Sequence, residues 1–186
     1  LNPRKAAVNE QGVDPHMWLD PNLVVTYVEN IRDGLIQVDP GGAKIYKSNA
    51  DAYIAQLKYL DAWIVEQVNT IPTERRLLVT NHEAVGYFAE RYGFKVAGSV
   101  IPSFSSNAAP SAQEMARLID AIKKINAPAI FLDTADNNTL AQQIADETSV
   151  TIVADLHLES LTDGAPAATY IDMMKYNVSR IVEALK

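Results

Sequence analysis

The sequence contains no cysteine, and that absence removes disulfides, thiolate zinc sites and iron–sulfur clusters together. Any metal held by this chain must therefore sit on imidazole and carboxylate, and redox logic leaves the compartment open. No apolar run approaches the roughly 20 residues of a membrane-spanning helix, and no signal peptide opens the chain. Basic residues are in deficit: 16 Lys and Arg stand against 23 Asp and Glu, giving a net charge of -7 and a pI near 4.9. Nucleic acid is bound through a basic face and counterion release, so this balance argues against it as a partner. Also missing are a Gly-rich phosphate loop, a G-x-S-x-G elbow, an H-E-x-x-H pair and any kinase or Walker pattern. The opening Leu1-Asn2-Pro3-Arg4 carries no initiator methionine and reads like the middle of something longer.

What is present is ordinary globular material. A chain of 186 residues, 48% apolar and 21% charged, can bury a substantial core in one or two compact units. Residues 1 to 13 are polar and without period, and are expected to form a loop or frayed end. From Pro21, the apolar residues Val24, Tyr27, Val28, Ile31, Leu35 and Val38 fall at helical spacing until Asp39-Pro40-Gly41-Gly42 breaks the pattern. A longer helix is expected over residues 43 to 69, with Tyr46, Ala50, Tyr53, Leu57, Leu60 and Ile64 on one face; at 1.5 Å per residue it would span about 40 Å. A helix of that length usually braces two parts. Its aromatic residues Tyr53, Tyr59 and Trp63 are read as packing rather than as a stacking platform.

After Pro72, short apolar runs alternate with amphipathic helices. Strands are expected at Leu77 to Thr80, Phe94 to Val100, Ala129 to Leu132 and Thr151 to Asp155. The helices between and after them are Glu83 to Tyr92, one opened by the capping box Ser111-Ala112-Gln113-Glu114, Asn138 to Glu147 and Thr169 to Leu185. Strict alternation of strand and helix calls for a parallel sheet with right-handed crossovers. The expected fold class is thus α/β: a four-stranded parallel-sheet lobe at the C-terminal end, preceded by a long bracing helix.

Ligands of an open parallel sheet bind beyond the carboxyl ends of its strands, so the polar residues that follow each strand are the candidates for chemistry. Asn81-His82-Glu83 follows the first strand, Asp133-Thr134-Ala135-Asp136 the third, and Asp155 to Glu159, with His157 between, the fourth. Each also has a bland reading. His82 could be a capping or core imidazole, Asp133 and Asp136 read as helix caps, His157 alternates with Leu156 and Leu158 and so could simply point to the other face of an extended segment, and Glu159 could be a solvated loop charge. The remaining imidazole lies in Asp14-Pro15-His16-Met17-Trp18-Leu19-Asp20-Pro21, where two prolines stiffen the backbone just before a helix. A rigid, proline-bracketed histidine suits a metal ligand, although a loop histidine is commonly just hydrogen-bonded at a surface.

Three motifs carry a resemblance. They are the octapeptide Asp14 to Pro21; Thr80-Asn81-His82-Glu83-Ala84-Val85-Gly86-Tyr87-Phe88 with Arg91-Tyr92-Gly93; and Glu159-Ser160-Leu161 leading to Thr169-Tyr170-Ile171-Asp172-Met173-Met174-Lys175-Tyr176-Asn177. In order and interval the chain resembles, from about residue 12 onward, the cluster A-I substrate-binding proteins of ABC importers, which capture zinc or manganese. The resemblance implies two α/β lobes joined by one long helix. Residues 1–38 would be the remnant of an N-terminal lobe, 39–72 the linking helix and 73–186 the C-terminal lobe.

It also implies an extracytoplasmic protein, periplasmic or a cell-surface lipoprotein, which delivers a metal to a membrane permease and is not an enzyme. His16, His82 and Glu159 would be its metal ligands. Imidazole at position 82, where manganese-preferring relatives tend to have glutamate, tilts the expectation to Zn²⁺ with Mn²⁺ as the alternative. Three departures from the family pattern stand out: an earlier histidine has no counterpart here, Glu159 replaces aspartate so that Asp155 competes for the role, and Ala109-Pro110-Ser111 lacks a glutamate before the proline. The competing classes are a small metal-dependent hydrolase using His82 and Glu159, and a metal-independent adhesion or scaffold module.

Overall fold

In the computed structural model, which describes Arg4 and residues 13–105, 110–136 and 138–186, Asp20 starts the first helix through its side chain. Its carboxylate accepts the Asn22 N–H at 2.9 Å, Pro21 occupies the first turn, and helix α1 runs Pro21–Val38. Apart from Arg4 and Val13, the expected N-terminal loop lies outside the described residues, as does Ala109. At the breaker, Asp39 ends α1 and its carboxylate accepts the Gly42 N–H and the Tyr46 O–H. The chain reverses into α2, Ala43–Val68, a 26-residue rod about 39 Å long at 1.5 Å per residue.

Four strands follow: β1 Leu77–Thr80, β2 Lys95–Ser99, β3 Ala129–Asp133 and β4 Thr151–Leu156. All pair in parallel, in the order β2-β1-β3-β4. The connecting helices are α3 Gly86–Tyr92, α4 Ala112–Ile125, α5 Thr139–Thr148 and α6 Tyr170–Leu185. Side-chain alternation along the strands divides the core in two. Leu78, Phe131 and Val153 pack with Leu60 and Ile64 of α2, Phe88 of α3 and Met174 and Val178 of α6. Val79, Ile130 and Leu132 point the other way, to Leu118 and Ile122 of α4 and Ile144 of α5. The fold is therefore α/β with helices on both faces of a parallel sheet. Because β1 is followed outward by β2 and the chain then steps back over it to β3, the topological switch lies between β1 and β3, where such sheets form a crevice at their carboxyl ends.

Three expectations need correction. Helix α3 begins at Gly86, not Glu83, because residues 82–84 turn sharply: the Ala84 N–H donates to the His82 carbonyl at 2.8 Å and the Glu83 N–H to Ser103 at 2.9 Å. His82 thus belongs to a loop, and Glu83 is no first-turn residue. The apolar series of α1 is not a core face throughout. Val24 is buried, but Ile31, Leu35 and Val38 are 63%, 41% and 80% exposed, since α1 packs along α2 and nothing among the described residues covers its far side. On α2, Trp63 packs against the core, whereas Tyr59 projects into solvent.

Candidate metal centre

The octapeptide places its imidazole through one acidic residue. Asp14 Oδ1 accepts the His16 backbone N–H at 3.0 Å and lies 2.8 Å from Nδ1 of the same residue. A carboxylate oxygen only accepts, so Nδ1 carries a proton, and in the neutral tautomer of that ring Nε2 is the nitrogen with the lone pair. Asp14 is itself fixed: Tyr87 of α3 donates its hydroxyl to the Asp14 carbonyl at 3.1 Å, and the Arg4 guanidinium lies 3.5 Å from Oδ2. The next aromatic completes the mount. The Trp18 ring stands edge-on to His16 with centroids 5.3 Å apart, and its Nε1 donates to the Leu158 carbonyl at 2.8 Å. Tyr170 of α6 in turn donates its hydroxyl to the Trp18 carbonyl. These bonds fasten the His16 segment to the loop that follows β4 and to the start of α6.

His82 leaves the end of β1, where the Thr80 hydroxyl donates to its carbonyl at 2.7 Å. Its ring centroid is 5.3 Å from that of His16. Glu159 approaches both from the loop after β4: Oε1 is 2.9 Å from His82 Nε2 and 3.5 Å from His16 Nε2. One ligand atom from each of His16, His82 and Glu159 lies within 4.8 Å of the others, a set that could hold a metal ion. Both imidazoles are almost fully buried, whereas the Glu159 side chain is 39% exposed, so the carboxylate is the solvent-facing member of the set. His82 Nε2, donating to Glu159, must pass its proton to Nδ1 or to solvent before it can ligate.

The other acidic and imidazole candidates go elsewhere. Asp155, the competing carboxylate, accepts the Tyr176 hydroxyl and Arg180 Nε, both at 2.8 Å, from α6. Burial pushes its carboxyl up, but these two bonds and the Arg180 charge more than offset that and hold it below the usual range. His157 is buried beside the Tyr176 ring, its backbone bracketed on both sides by the Asn177 amide. Asp133 and Asp136 do not cap α5, whose N-cap is Asn138 with no side-chain bond. Instead, Asp133 Oδ2 accepts the N–H groups of Leu158 and Glu159 at 2.5 and 3.3 Å. Asp136 accepts the Asp133 N–H and the Asn81 side-chain amide. Burial raises the Asp136 carboxyl above its ordinary value, against these hydrogen bonds and the influence of His82. Asn81, Asp133 and Asp136 are residues that the strand-end rule picks out and Trp18 lies in the first motif, but the bonds by which they build the site are not read from the sequence. Position after a strand is the only local signal, because the Asn81–Asp136 and Leu158–Asp133 partnerships join segments far apart in sequence.

Comparison with known proteins decides the family. The profile described as "ZnuA: Zinc-uptake complex component A periplasmic" matches residues 2–184. The chain belongs to the ZnuA family. Among curated ZnuA-like relatives, the manganese-binding lipoprotein MntA of Halalkalibacterium halodurans is 40% identical over 175 residues, which are 94% of this chain and 58% of the relative. The zinc-binding protein TroA of Treponema pallidum is 32% identical over 98% of this chain and 60% of its own length. The solved structure of TroA superposes with a TM-score of 0.86 at 30% identity, covering 98% of this chain and 67% of that one. An Mn-bound periplasmic metal-binding protein from candidatus Liberibacter asiaticus gives 0.87 at 27% identity, over 100% and 68% respectively. The chain thus spans about three-fifths of the length of the curated relatives it matches.

Proposed function

We propose that this member of the ZnuA family captures a divalent transition metal on His16, His82 and Glu159, outside the cytoplasmic membrane, for delivery to an ABC permease. One observation supports it above all: two buried imidazole nitrogens and a carboxylate oxygen, drawn from loops distant in sequence, converge within 4.8 Å. Capture without catalysis needs ligands that close around the ion, with their protons leaving as it binds. The His16 segment, which precedes α2, would belong to one lobe (residues 1–38), α2 and its flanks (39–72) to the brace, and His82 and Glu159 to the other lobe (73–186).

Imidazole nitrogens and the general order of divalent affinities favour Zn²⁺ over Mn²⁺. The manganese in the name of the MntA relative makes Mn²⁺ the alternative. His16, His82 and Glu159 supply three donors among the described residues, which leaves one position of a tetrahedral ion to another donor. The test is thermal unfolding with and without added metal. Zn²⁺ at about a hundredfold over its Kd stabilises the folded state by about 2.7 kcal/mol, which raises Tm by about 5 to 10 °C in a chain of this size. His16→Ala and His82→Ala should each abolish the rise. An equal rise in both variants, or none in the parent chain, contradicts the proposal.

A further inference from the structure

The capture reading leaves two buried or half-buried acidic residues without a task, and between them they bond the chain beside both strand-end ligands. Asp133 closes β3 with 2% of its surface exposed. Oδ1 accepts the Ala135 N–H at 2.8 Å, while Oδ2 takes the Leu158 and Glu159 N–H groups, so one carboxylate grips the backbone of a proposed ligand. The N–H of Asp133 donates to Asp136 Oδ2 at 2.8 Å, and Asp136 Oδ1 accepts Asn81 Nδ2 at 2.7 Å. Asn81 immediately precedes His82. A continuous path of charge-assisted bonds therefore runs from the chain beside His82, through the end of β3, to the backbone of Glu159. It bridges the topological switch between β1 and β3.

We propose that Asn81, Asp136 and Asp133 form a positioning relay that fixes the separation of the His82 imidazole from the Glu159 carboxylate, and so sets how tightly a divalent cation is held. The inference rests on the metal-capture reading. None of the three relay residues is a proposed ligand. They act by holding backbone: with the β4 loop pinned at Leu158 and Glu159, the carboxylate has only its own rotamers to adjust, and with Asn81 held, the His82 turn cannot slide along the sheet edge. Partners that orient ligands in this way typically change metal affinity by about 10- to 100-fold when removed.

Asp136 is the residue to substitute, because it is only half-buried and links the two halves of the path. In calorimetric titrations, Asp136→Ala is expected to weaken Zn²⁺ binding by about 10- to 100-fold, and Asp136→Asn, which keeps the shape and one acceptor, to recover part of the loss. Titration with Co²⁺ supplies a readout that general destabilisation would not move: the visible absorption bands, which report the ligand field, should change in Asp136→Ala and return toward the parent in Asp136→Asn. If Asp136→Ala matches the parent in affinity and Co²⁺ spectrum, whatever it does to the metal-free Tm, the relay is overturned and capture stands. If the parent chain binds neither ion, both fall.

Discussion

Asp14 commits a single oxygen to both the backbone and the ring of His16, and this is why a two-residue spacing across Pro15 matters. The proline stiffens the link, the carboxylate fixes the tautomer, and Nε2 is left as the only free donor of the ring. Asp14→Ala should therefore leave His16 present but free to rotate or exchange tautomers, and weaken Zn²⁺ binding by about 10- to 100-fold. Calorimetry at constant pH checks this; an unchanged Kd would mean that packing against Trp18 alone orients the ring. Glu159 poses the opposite case. Its side chain reaches both imidazoles from a loop whose backbone is anchored by Asp133.

Helix α2 is tied to the elements on either side of it by Asp61. This carboxylate accepts Arg91 Nε and Nη2 at 3.0 and 2.6 Å and the Tyr92 hydroxyl at 2.9 Å from α3, and Asn22 Nδ2 at 2.9 Å from the first turn of α1. Burial pushes its carboxyl up, but the bonds from Arg91, Tyr92 and Asn22 together with the Arg91 charge outweigh it and lower it below the ordinary value. A folded-state value below the unfolded one stabilises the protein above the unfolded pKa of about 3.9, and that contribution disappears as pH falls through the folded value. Asp61→Asn should cost about 1 to 3 kcal/mol near pH 7. The difference from the parent should shrink when urea unfolding is repeated at pH values falling through the lowered folded-state pKa, where the parent carboxylate becomes protonated as well. A difference independent of pH would mean that shape rather than charge holds α2 in place.

At the scale of the molecule, stability is concentrated on the two faces of the sheet and thins out along α1. Leu60 is fully buried among α2, α3 and α6 residues, whereas Val38 is 80% exposed. Leu60→Ala is expected to cost about 2 to 5 kcal/mol, and Val38→Lys less than about 0.5 kcal/mol, both read from denaturant midpoints of the metal-free chain. A large loss at Val38 would show that the outer face of α1 is covered in solution.

The sequence by itself determined the element order and most boundaries. Apolar period, the Asp20-Pro21 start, the Asp39-Pro40-Gly41-Gly42 break and the Ser111–Glu114 capping box are local sterics and hydrogen bonds, complete within a few residues. Strand–helix alternation fixed the parallel sheet, and the strand-end rule with the three motifs singled out His16, His82 and Glu159. Only the tertiary structure decided the strand order, the sharp turn that takes His82 off the helix, and the destinations of the acids. A cap, an ion-pair partner and a loop anchor are the same carboxylate in sequence. Whether Asp133 turns to α5 or to Leu158, 25 positions away, and whether Asp155 turns to Arg180 or to the imidazoles, depends on which donors the crossovers bring within about 3 Å, a distance that no local pattern encodes.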